Sequence, residues 1–324
     1  MLSSRKIILD SDTNQGKKYN PAVPSGMRVF IFQPDENFYM SPFDKRLKLL
    51  EEQIIFAKKS LLEIKEDNHL GSNVAIKSSL FWIKNKLGTS KRKFDTENSP
   101  EQQPAPPSAI FVAPEYLFKD FSKLSYERYY TQAQKNAFKS LLAELSRDTD
   151  MLIVPGTICW HKNAKLDQST YYRNTAYFFY HGDIQKYKKR YPHTNYDFDY
   201  VDEGFLNLMD LRRMSFKTGD NDSLVKDYFG LRVGIEICYD SVQKSLSNYV
   251  KKNNTSLHIQ LVIADGAKKS VFVNRDGVFF IKIEKNKHET QLGTIKVKVK
   301  EETELEPAIL LSCTEELSCF QLKT

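Results

Sequence analysis

The sequence predicts a layered α/β domain, and three observations lead to that prediction. The chain has 324 residues and 40% hydrophobic content, which is sufficient to bury a large core. Over about the first 250 residues, short apolar runs typical of strands alternate with segments of helical period. Strand patterns then dominate to the end of the chain and predict hairpins. We expect one domain over residues 27–324, preceded by a polar N-terminal arm over residues 1–26.

The first half of the chain supplies two strands and two helices of this prediction. Residues 27–34, MRVFIFQP, form the first apolar run. Residues 43–65 carry apolar side chains three or four positions apart and predict an amphipathic helix. The polar, proline-containing segment 84–108 predicts a surface loop that is inserted before the next strand, AIFVA, at residues 109–113. A second helix is expected over residues 125–147.

The middle of the chain predicts strands and one long loop. The runs MLIVPG and ICWH are typical of strands, and YYRNTAYFFYHGDIQKYKK predicts a hairpin that turns at His181, Gly182 and Asp183. Residues 191–222 contain aromatic and acidic side chains without a clear period. Loops of this length usually exist because they serve a function.

The last part of the chain begins with LRVGIEIC, a predicted strand that ends at Cys238. We expect Asp240 to be the N-cap of the following helix, SVQKSLSNYVKK, with Gln243 completing a capping box. Further strands are predicted in LHIQLVIA, SVFVNRDGVFFIKIE, GTIKVKVK, AILLSC and SCFQL.

Composition argues against several classes of protein. The formal charge is +7, but the 48 basic residues are scattered among 41 acidic ones, so we expect no nucleic-acid partner. No stretch reaches the roughly 20 apolar residues that a membrane span needs, and no secretory signal is evident, so we expect a cytoplasmic protein without a membrane partner. The four cysteines have no spacing typical of zinc, which predicts reduced thiols and no metal.

Cys238 stands where a strand meets a helix, in the run GIEICYD. On a regular strand, Gly234, Glu236 and Cys238 share one face, so the thiol and a carboxylate lie on the same side. The N–H groups at the start of a helix favour an anion, which predicts a Cys238 pKa below the usual value of about 8.5. A buried structural cysteine is the simpler alternative. However, a glutamate within an apolar strand requires a partner or a role.

Two further residues acquire meaning only together with Cys238. Glu115 follows the strand AIFVA in APEY, and Lys189 follows a strand in YKKRY. Taken alone, each is more simply explained as a solvated charge at a strand end. In the order APEY, YKKRY and GIEICYD, the three segments resemble the three signatures of the nitrilase or carbon–nitrogen hydrolase superfamily. The segments RNTAYFFYHGDIQKYKK and FKTGD, which lie between them, also resemble that family.

The resemblance implies a four-layer αββα sandwich and a catalytic triad. Cys238 would be the nucleophile, Glu115 the general base and acid, and Lys189 the cation that stabilises the tetrahedral intermediate, together with the backbone N–H of Tyr239. It also implies a second glutamate that orients the lysine, for which Glu203 is the best match and Asp202 the alternative. No cofactor is implied.

The same resemblance has limits. This chain has SVQKS after the cysteine motif, where the family often has an arginine, an aromatic residue and a Pro-Glu pair. Its sequence runs from LVIADGAKKS almost directly into the late hairpins, so a helical element is expected to be missing. That element commonly contributes to the dimer contact, and the oligomeric state is therefore open. The family rarely has a glutamate at position 236, which is explained either by substrate or Lys189 contact or by a pair with Arg232.

The predicted activity is hydrolysis of a non-peptide C–N bond in a small-molecule amide or carbamoyl substrate, or less favourably a nitrile, through a thioester. Tyr116, Tyr196 and Phe198 are candidate walls of the substrate pocket, and Glu236 is a candidate substrate contact. Acyl transfer through the same thioester, and a catalytically silent binding protein, are the alternatives. A Cys/His hydrolase would instead need His193 or His258 close to Cys238.

Overall fold

The computed structural model describes residues 26–69, 105–123, 125–163, 169–193, 196–197, 214–219, 224–267, 271–298 and 302–322. These residues form fifteen strands in two sheets, together with five α-helices. The strands are β1 Arg28–Phe32, β2 Ala109–Val112, β3 Met151–Val154, β4 Thr157–Asn163, β5 Thr170–Tyr180, β6 Asp183–Lys188, β7 Met214–Phe216, β8 Val225–Tyr228, β9 Leu231–Ile237, β10 Ile259–Ile263, β11 Phe279–Ile283, β12 Gln291–Val297, β13 Thr303–Pro307, β14 Ile309–Cys313 and β15 Leu317–Gln321. The helices are α1 Glu36–Met40, α2 Phe43–His69, α3 Gln132–Leu145, α4 Tyr239–Val242 and α5 Ser245–Asn253.

The first sheet has nine strands, seven of them in the order β14-β15-β1-β2-β3-β5-β4, while β6 and β7 pair with β5. Strands β1, β2 and β3 are parallel and in register, so their C-terminal ends lie at one edge. Strands β5 and β6 form the predicted hairpin, in which Tyr180 pairs with Asp183. This hairpin carries the chain back to the edge where β2 ends, because β6 runs antiparallel to β5.

The second sheet has six strands in the order β13-β12-β11-β10-β9-β8. Its centre, β9, β10 and β11, is parallel, and its remaining pairs are antiparallel. The late antiparallel pairs are the hairpins that the sequence predicts after residue 250. The inner faces of the two sheets meet in one core, where Ile110 and Val112 of β2 belong to the same cluster as Val233 and Ile235 of β9.

Helices cover the outer face of each sheet. On α2, Leu50, Ile54, Ala57 and Leu61 are buried against the first sheet, which is the spacing that predicted this helix. On the other side, Leu246 and Val250 of α5 pack against the second sheet. The order helix, sheet, sheet, helix confirms the predicted αββα sandwich. None of the helices in the described ranges combines the length and the hydrophobicity that a membrane span requires.

The connection between β10 and β11 contains no helix among its described residues, 264–267 and 271–278. A loop covers the sheet in its place. Gln260 of β10, which is buried, accepts a hydrogen bond from the backbone of Val273 and donates one to the carbonyl of Val271, both at 2.8 Å. The ring of Phe272 packs on Phe280 at 4.7 Å between centroids. A buried side-chain amide therefore anchors the described part of this loop to the sheet.

One predicted helix has different bounds in the structure. The sequence predicts one helix over residues 125–147. The structure has a short 3-10 turn, Ser125–Arg128, and then α3, which begins only at Gln132. Thr131 is the N-cap of α3 and forms a capping box with Gln134. Because the capping threonine fixes the start of a helix, the predicted helix was too long at its N-terminal end.

Candidate active site

Three strand ends converge at one cleft between the two sheets. Glu115 lies three residues after β2, Lys189 directly follows β6, and Cys238 directly follows β9. The backbone N–H of Glu115 donates to the carbonyl of Ala264 at 3.3 Å, which joins the first sheet to the loop after β10. The structure therefore brings together three side chains that are far apart in the sequence.

The Lys189 ammonium is the electrostatic centre of the site. Its Nζ lies 2.8 Å from Glu115 Oε1 and 2.6 Å from Asp197 Oδ2, and all three side chains are fully buried. Burial alone would lower the pKa of Lys189, but the charges of Glu115 and Asp197 raise it above its ordinary value. The lysine is therefore protonated throughout the neutral pH range.

Asp197 supplies the second carboxylate at this lysine. Its Oδ2 also accepts from the backbone N–H of His193 at 2.8 Å, and its Oδ1 accepts from the hydroxyl of Tyr116 at 2.8 Å and from Asn174 Nδ2 at 3.1 Å. Burial would raise the pKa of Asp197, yet Lys189 holds it below its ordinary value. Asp197 is therefore an anion that holds the lysine in place.

Glu115 is positioned by two donors and by a close backbone approach. Its Oε1 accepts from Lys189 Nζ and from Asn174 Nδ2, both at 2.8 Å, while Oε2 has no hydrogen-bond partner in the described part of the chain. Gly156 has a φ of +67°, and a Cβ there would lie 2.2 Å from the carbonyl oxygen of Pro114. A glycine is therefore required beside the Glu115 turn.

Glu115 has the pKa of a group that can exchange a proton near neutrality. Burial raises the pKa of Glu115 to about 7, although Lys189 opposes the shift. The charge of Asp197 adds to the increase. A carboxyl with this pKa can both accept and deliver a proton at neutral pH.

Cys238 occupies a strained turn. Its φ of 47° and ψ of −102° are unusual for a residue with a side chain, and strain of this kind often marks a functional site. The backbone N–H of Cys238 donates to the carbonyl of Ile263 at 2.8 Å, and its Sγ lies 4.0 Å from the carbonyl oxygen of Asp265. The positive φ ends the alternation of β9, so the thiol lines the cleft.

The expected low pKa of Cys238 is wrong. Burial and the neighbouring Glu115 carboxyl raise the pKa of the thiol, and Lys189 offsets only part of the increase. The sequence predicted one long helix after Cys238, whose N-terminus would stabilise a thiolate. The structure has instead the four-residue helix α4, and Lys244, in a left-handed conformation, separates α4 from α5. The resting cysteine is therefore a thiol, and its activation depends on a base.

Asp240 is not the N-cap that the sequence predicts, since Cys238 occupies that position and forms no side-chain capping bond. The buried Asp240 carboxylate instead accepts from Tyr187 at 2.7 Å and from the backbone N–H groups of Arg190 and Tyr191 at 3.1 and 2.7 Å. It therefore ties the segment that follows Lys189 to the turn that follows Cys238.

The interpretation of Glu236 as a substrate contact is also wrong. Its Oε1 accepts from the backbone N–H of Leu246 at 2.8 Å, in the first turn of α5, and its Oε2 accepts from Gln260 at 3.3 Å. Burial raises the pKa of Glu236 to about 8. The strained turn at Cys238 separates the two side chains, so Glu236 faces α5 and pairs with neither Lys189 nor Arg232.

The cleft has a volume of about 310 Å³. Its walls are Tyr116, Lys189, His193, Tyr196, Cys238, Tyr239, Val242, Asp265, Gly266 and Ala267. Tyr116 is buried, whereas Tyr196 is 60% exposed at the rim. The backbone N–H of Tyr239, the residue after Cys238, donates no hydrogen bond to any described residue. Within the described ranges, no three His, Cys, Asp or Glu side chains are arranged to hold a metal ion.

The remaining predicted residues are placed as follows. Glu203, Asp202 and Phe198 lie outside the described residues, so the predictions for them stay predictions. His258 precedes β10 and accepts from the backbone of Arg232 at 2.9 Å, at the opposite end of the strands from Cys238. His193 lines the cleft, but no hydrogen bond within the described part of the chain joins it to Cys238.

The sequence model of the carbon-nitrogen hydrolase family matches residues 105–277, which is more than half of the chain. The matched region contains Glu115, Lys189 and Cys238. The chain belongs to the carbon-nitrogen hydrolase family, within the nitrilase superfamily. A search of curated proteins found no match.

The solved structures that match this chain have low sequence identity to it. An amidase from Nesterenkonia sp. is 14% identical, with 92% of this chain and 91% of that chain covered and a TM-score of 0.43. Saccharomyces cerevisiae Nit3, a member of branch 10 of the nitrilase superfamily, is 13% identical, with 92% and 90% covered and a TM-score of 0.49. The glutamine-dependent NAD+ synthetase from Acinetobacter baumannii is 13% identical, with 93% and 48% covered and a TM-score of 0.46.

Replacing Glu236 tests its assignment to the fold. We expect Glu236→Leu to lower the free energy of unfolding by about 1–3 kcal/mol, because the N–H of Leu246 loses its acceptor inside the protein. Glu236→Gln keeps an oxygen for that N–H and serves as the control. Urea unfolding measures the first effect, and steady-state kinetics should give a KM for Glu236→Gln within about twofold of wild type. A large increase in that KM would indicate that Glu236 contacts the substrate.

Proposed function

We propose that the protein is a cysteine-dependent hydrolase that cleaves a non-peptide C–N bond in a small amide or carbamoyl compound, or less favourably a nitrile. One observation carries the proposal: a thiol and a charged ammonium line one cleft of about 310 Å³, and a carboxyl with a pKa of about 7 contacts that ammonium at 2.8 Å. Membership of the carbon-nitrogen hydrolase family supports the same reaction class.

In the first step, Cys238 attacks the substrate carbonyl carbon while Glu115 accepts the thiol proton. The free Oε2 of Glu115 is the oxygen that is available for this transfer. Because the resting group is a thiol, proton transfer accompanies the attack and no thiolate needs to accumulate. The product of this step is a tetrahedral intermediate with a negative charge on the former carbonyl oxygen.

The second step forms the thioester. The Lys189 ammonium and the backbone N–H of Tyr239 are the donors for the oxyanion, and each such donor typically stabilises a transition state by roughly 3–4 kcal/mol. Glu115 returns its proton to the nitrogen, and ammonia or an amine leaves as the C–N bond breaks. The carboxylate then takes a proton from the water that attacks the thioester, and it delivers this proton to the sulfur as the C–S bond breaks, which releases the carboxylic acid and the Cys238 thiol.

Asp197 and Asn174 are positioning residues in this proposal. Both contact groups that react or carry charge, Asp197 through Lys189 and Asn174 through Glu115. Asp197 balances the ammonium when Glu115 is protonated, so Lys189 keeps its position throughout the cycle. Acyl transfer to an amine or thiol is the alternative outcome for the same thioester, and mass spectrometry of the products with added acceptors distinguishes it from hydrolysis.

Removal of the thiol should abolish turnover. We expect Cys238→Ala to release no ammonia from any member of a panel of amides, ureido acids and nitriles that the wild-type protein hydrolyses, because no nucleophile remains. Circular dichroism should show an intact fold. Cys313→Ala, at an exposed cysteine on β14, is the matched control and should retain full activity. Turnover by Cys238→Ala would contradict the mechanism.

Activity should fall on the acid side of neutrality. With the pKa of Glu115 raised to about 7, the base is increasingly protonated below that pH, so kcat/KM is expected to decrease as pH falls through it. Glu115→Gln should lose about 10²–10⁴ in kcat/KM. Asn174→Ala, which removes one donor to the carboxylate, should shift the acid limb to higher pH. A profile that is flat from weakly acid to neutral pH would show that Glu115 is not the base.

A further inference from the structure

Asp265 is the only described acidic residue on the wall of the cleft, and its backbone lies beside the thiol. It lies two residues after β10, and its carbonyl oxygen is 4.0 Å from Cys238 Sγ. The side chain is half-buried, and no described residue donates a hydrogen bond to its carboxylate. The next residue is fixed separately, because Glu284 Oε2 accepts the backbone N–H of Gly266 at 2.7 Å.

The cations around Asp265 are already engaged. Lys285 is 3.0 Å from Glu36, with which it forms an ion pair. Lys119 donates to the carbonyl oxygen of Tyr196, and its Nζ lies 4.6 Å from the ring centroid of Tyr116 and 5.3 Å from that of Tyr129. Glu289 is a further carboxylate close enough to influence Asp265. Neither lysine forms an ion pair with Asp265 in the described part of the chain, although their charges oppose the increase of its pKa that burial causes.

The cation inside the cleft is also committed. Lys189 contacts Glu115 and Asp197 at 2.8 and 2.6 Å, so its charge is matched before any substrate enters. The other walls include four aromatic side chains, Tyr116, His193, Tyr196 and Tyr239. Aromatic faces attract cations and carry no charge that would bind an anion. The described walls of the cleft therefore contain several groups that can bind a cation and few groups that can bind a carboxylate.

We infer that the cleft selects substrates that carry a positively charged group close to the scissile C–N bond, and that Asp265 is the residue that binds this group. The inference rests on the proposed function for the reaction, but the charge preference belongs to the cleft itself. It can therefore be measured on Cys238 without turnover.

Methanethiosulfonate reagents provide that measurement. The sulfur of Cys238 attacks the reagent's sulfenyl sulfur, a mixed disulfide forms, methanesulfinate leaves with the bonding electron pair, and the thiol proton passes to Glu115 or to water. We would compare a trimethylammonium-ethyl reagent with a sulfonato-ethyl reagent of similar size. Mass spectrometry of the Cys238 peptide gives the rate of modification by each reagent. The cation-to-anion rate ratio at Cys238 is then divided by the ratio of the same two reagents on a free small thiol.

The expected result is a cation-to-anion rate ratio at least about tenfold above that of the free thiol, because one charge a few ångströms away in a partly buried cleft has an effect of that size. Asp265→Asn should reduce the ratio several-fold. Asp183→Asn removes the same charge at the start of β6, roughly 20 Å along the strand from Lys189, and should leave the ratio unchanged.

A ratio at or below that of the free thiol would overturn the inference, and so would equal effects of Asp265→Asn and Asp183→Asn. Measurements of turnover distinguish a failure of this charge preference from a failure of the proposed function. In a set of amides that differ only in an ammonium, methyl or carboxylate terminus, kcat/KM should be highest for the ammonium compound and lose that advantage in Asp265→Asn. A preserved reagent ratio in a protein that hydrolyses no amide would contradict the proposed reaction and leave the charge preference intact.

Discussion

The site depends on the ion pairs of one buried ammonium, that of Lys189, with Glu115 and Asp197. A lysine with no exposed surface is stable as a cation only if carboxylates compensate the loss of hydration, and two of them lie within 3 Å of its Nζ. These contacts connect the end of β2, the end of β6 and the turn at Asp197. The loss of one partner would leave an uncompensated buried charge, which typically costs about 3–5 kcal/mol.

The same arrangement explains how a thiol with a raised pKa can be a nucleophile. Glu115 and Cys238 compete for one proton: burial raises both of their pKa values, and Lys189 opposes each increase. The carboxyl is the group that titrates near neutrality, so it can hold the proton at the moment of attack. The strained backbone at Cys238 keeps the sulfur in the cleft, and the carboxylate of Asp240 fixes the turn against the segment after Lys189.

Period and order predicted a layered α/β domain, and the family resemblance predicted both the four-layer sandwich and which three side chains would lie together. The layered α/β prediction succeeded because α2 buries the apolar stripe that its sequence shows. Asp197 was missed, since nothing in the spacing of YDFDY distinguishes one carboxylate from the next. Only the fold shows that this one reaches Lys189.

Other predictions failed because they assumed regular geometry. Glu236 and Cys238 would share a face on an ideal strand, but one positive φ at Cys238 separates them. Asp240 was expected to be an N-cap, yet it lies inside the four-residue helix α4, and its carboxylate accepts from backbone donors of another segment. Sequence patterns describe regular elements well, whereas the functional residues stand where regular elements end.

The central claim is that Glu115 controls the reactivity of Cys238. Peptide-resolved alkylation by iodoacetamide, followed from weakly acid to weakly alkaline pH, tests it directly. We expect Cys238 in the wild-type protein to react faster than the more exposed Cys313, with a rate that rises through about pH 7, and we expect this rise to disappear in Glu115→Gln. If Cys238 reacts no faster than the buried Cys159, or keeps the same pH profile in Glu115→Gln, the two groups are not coupled and the proposed chemistry is wrong.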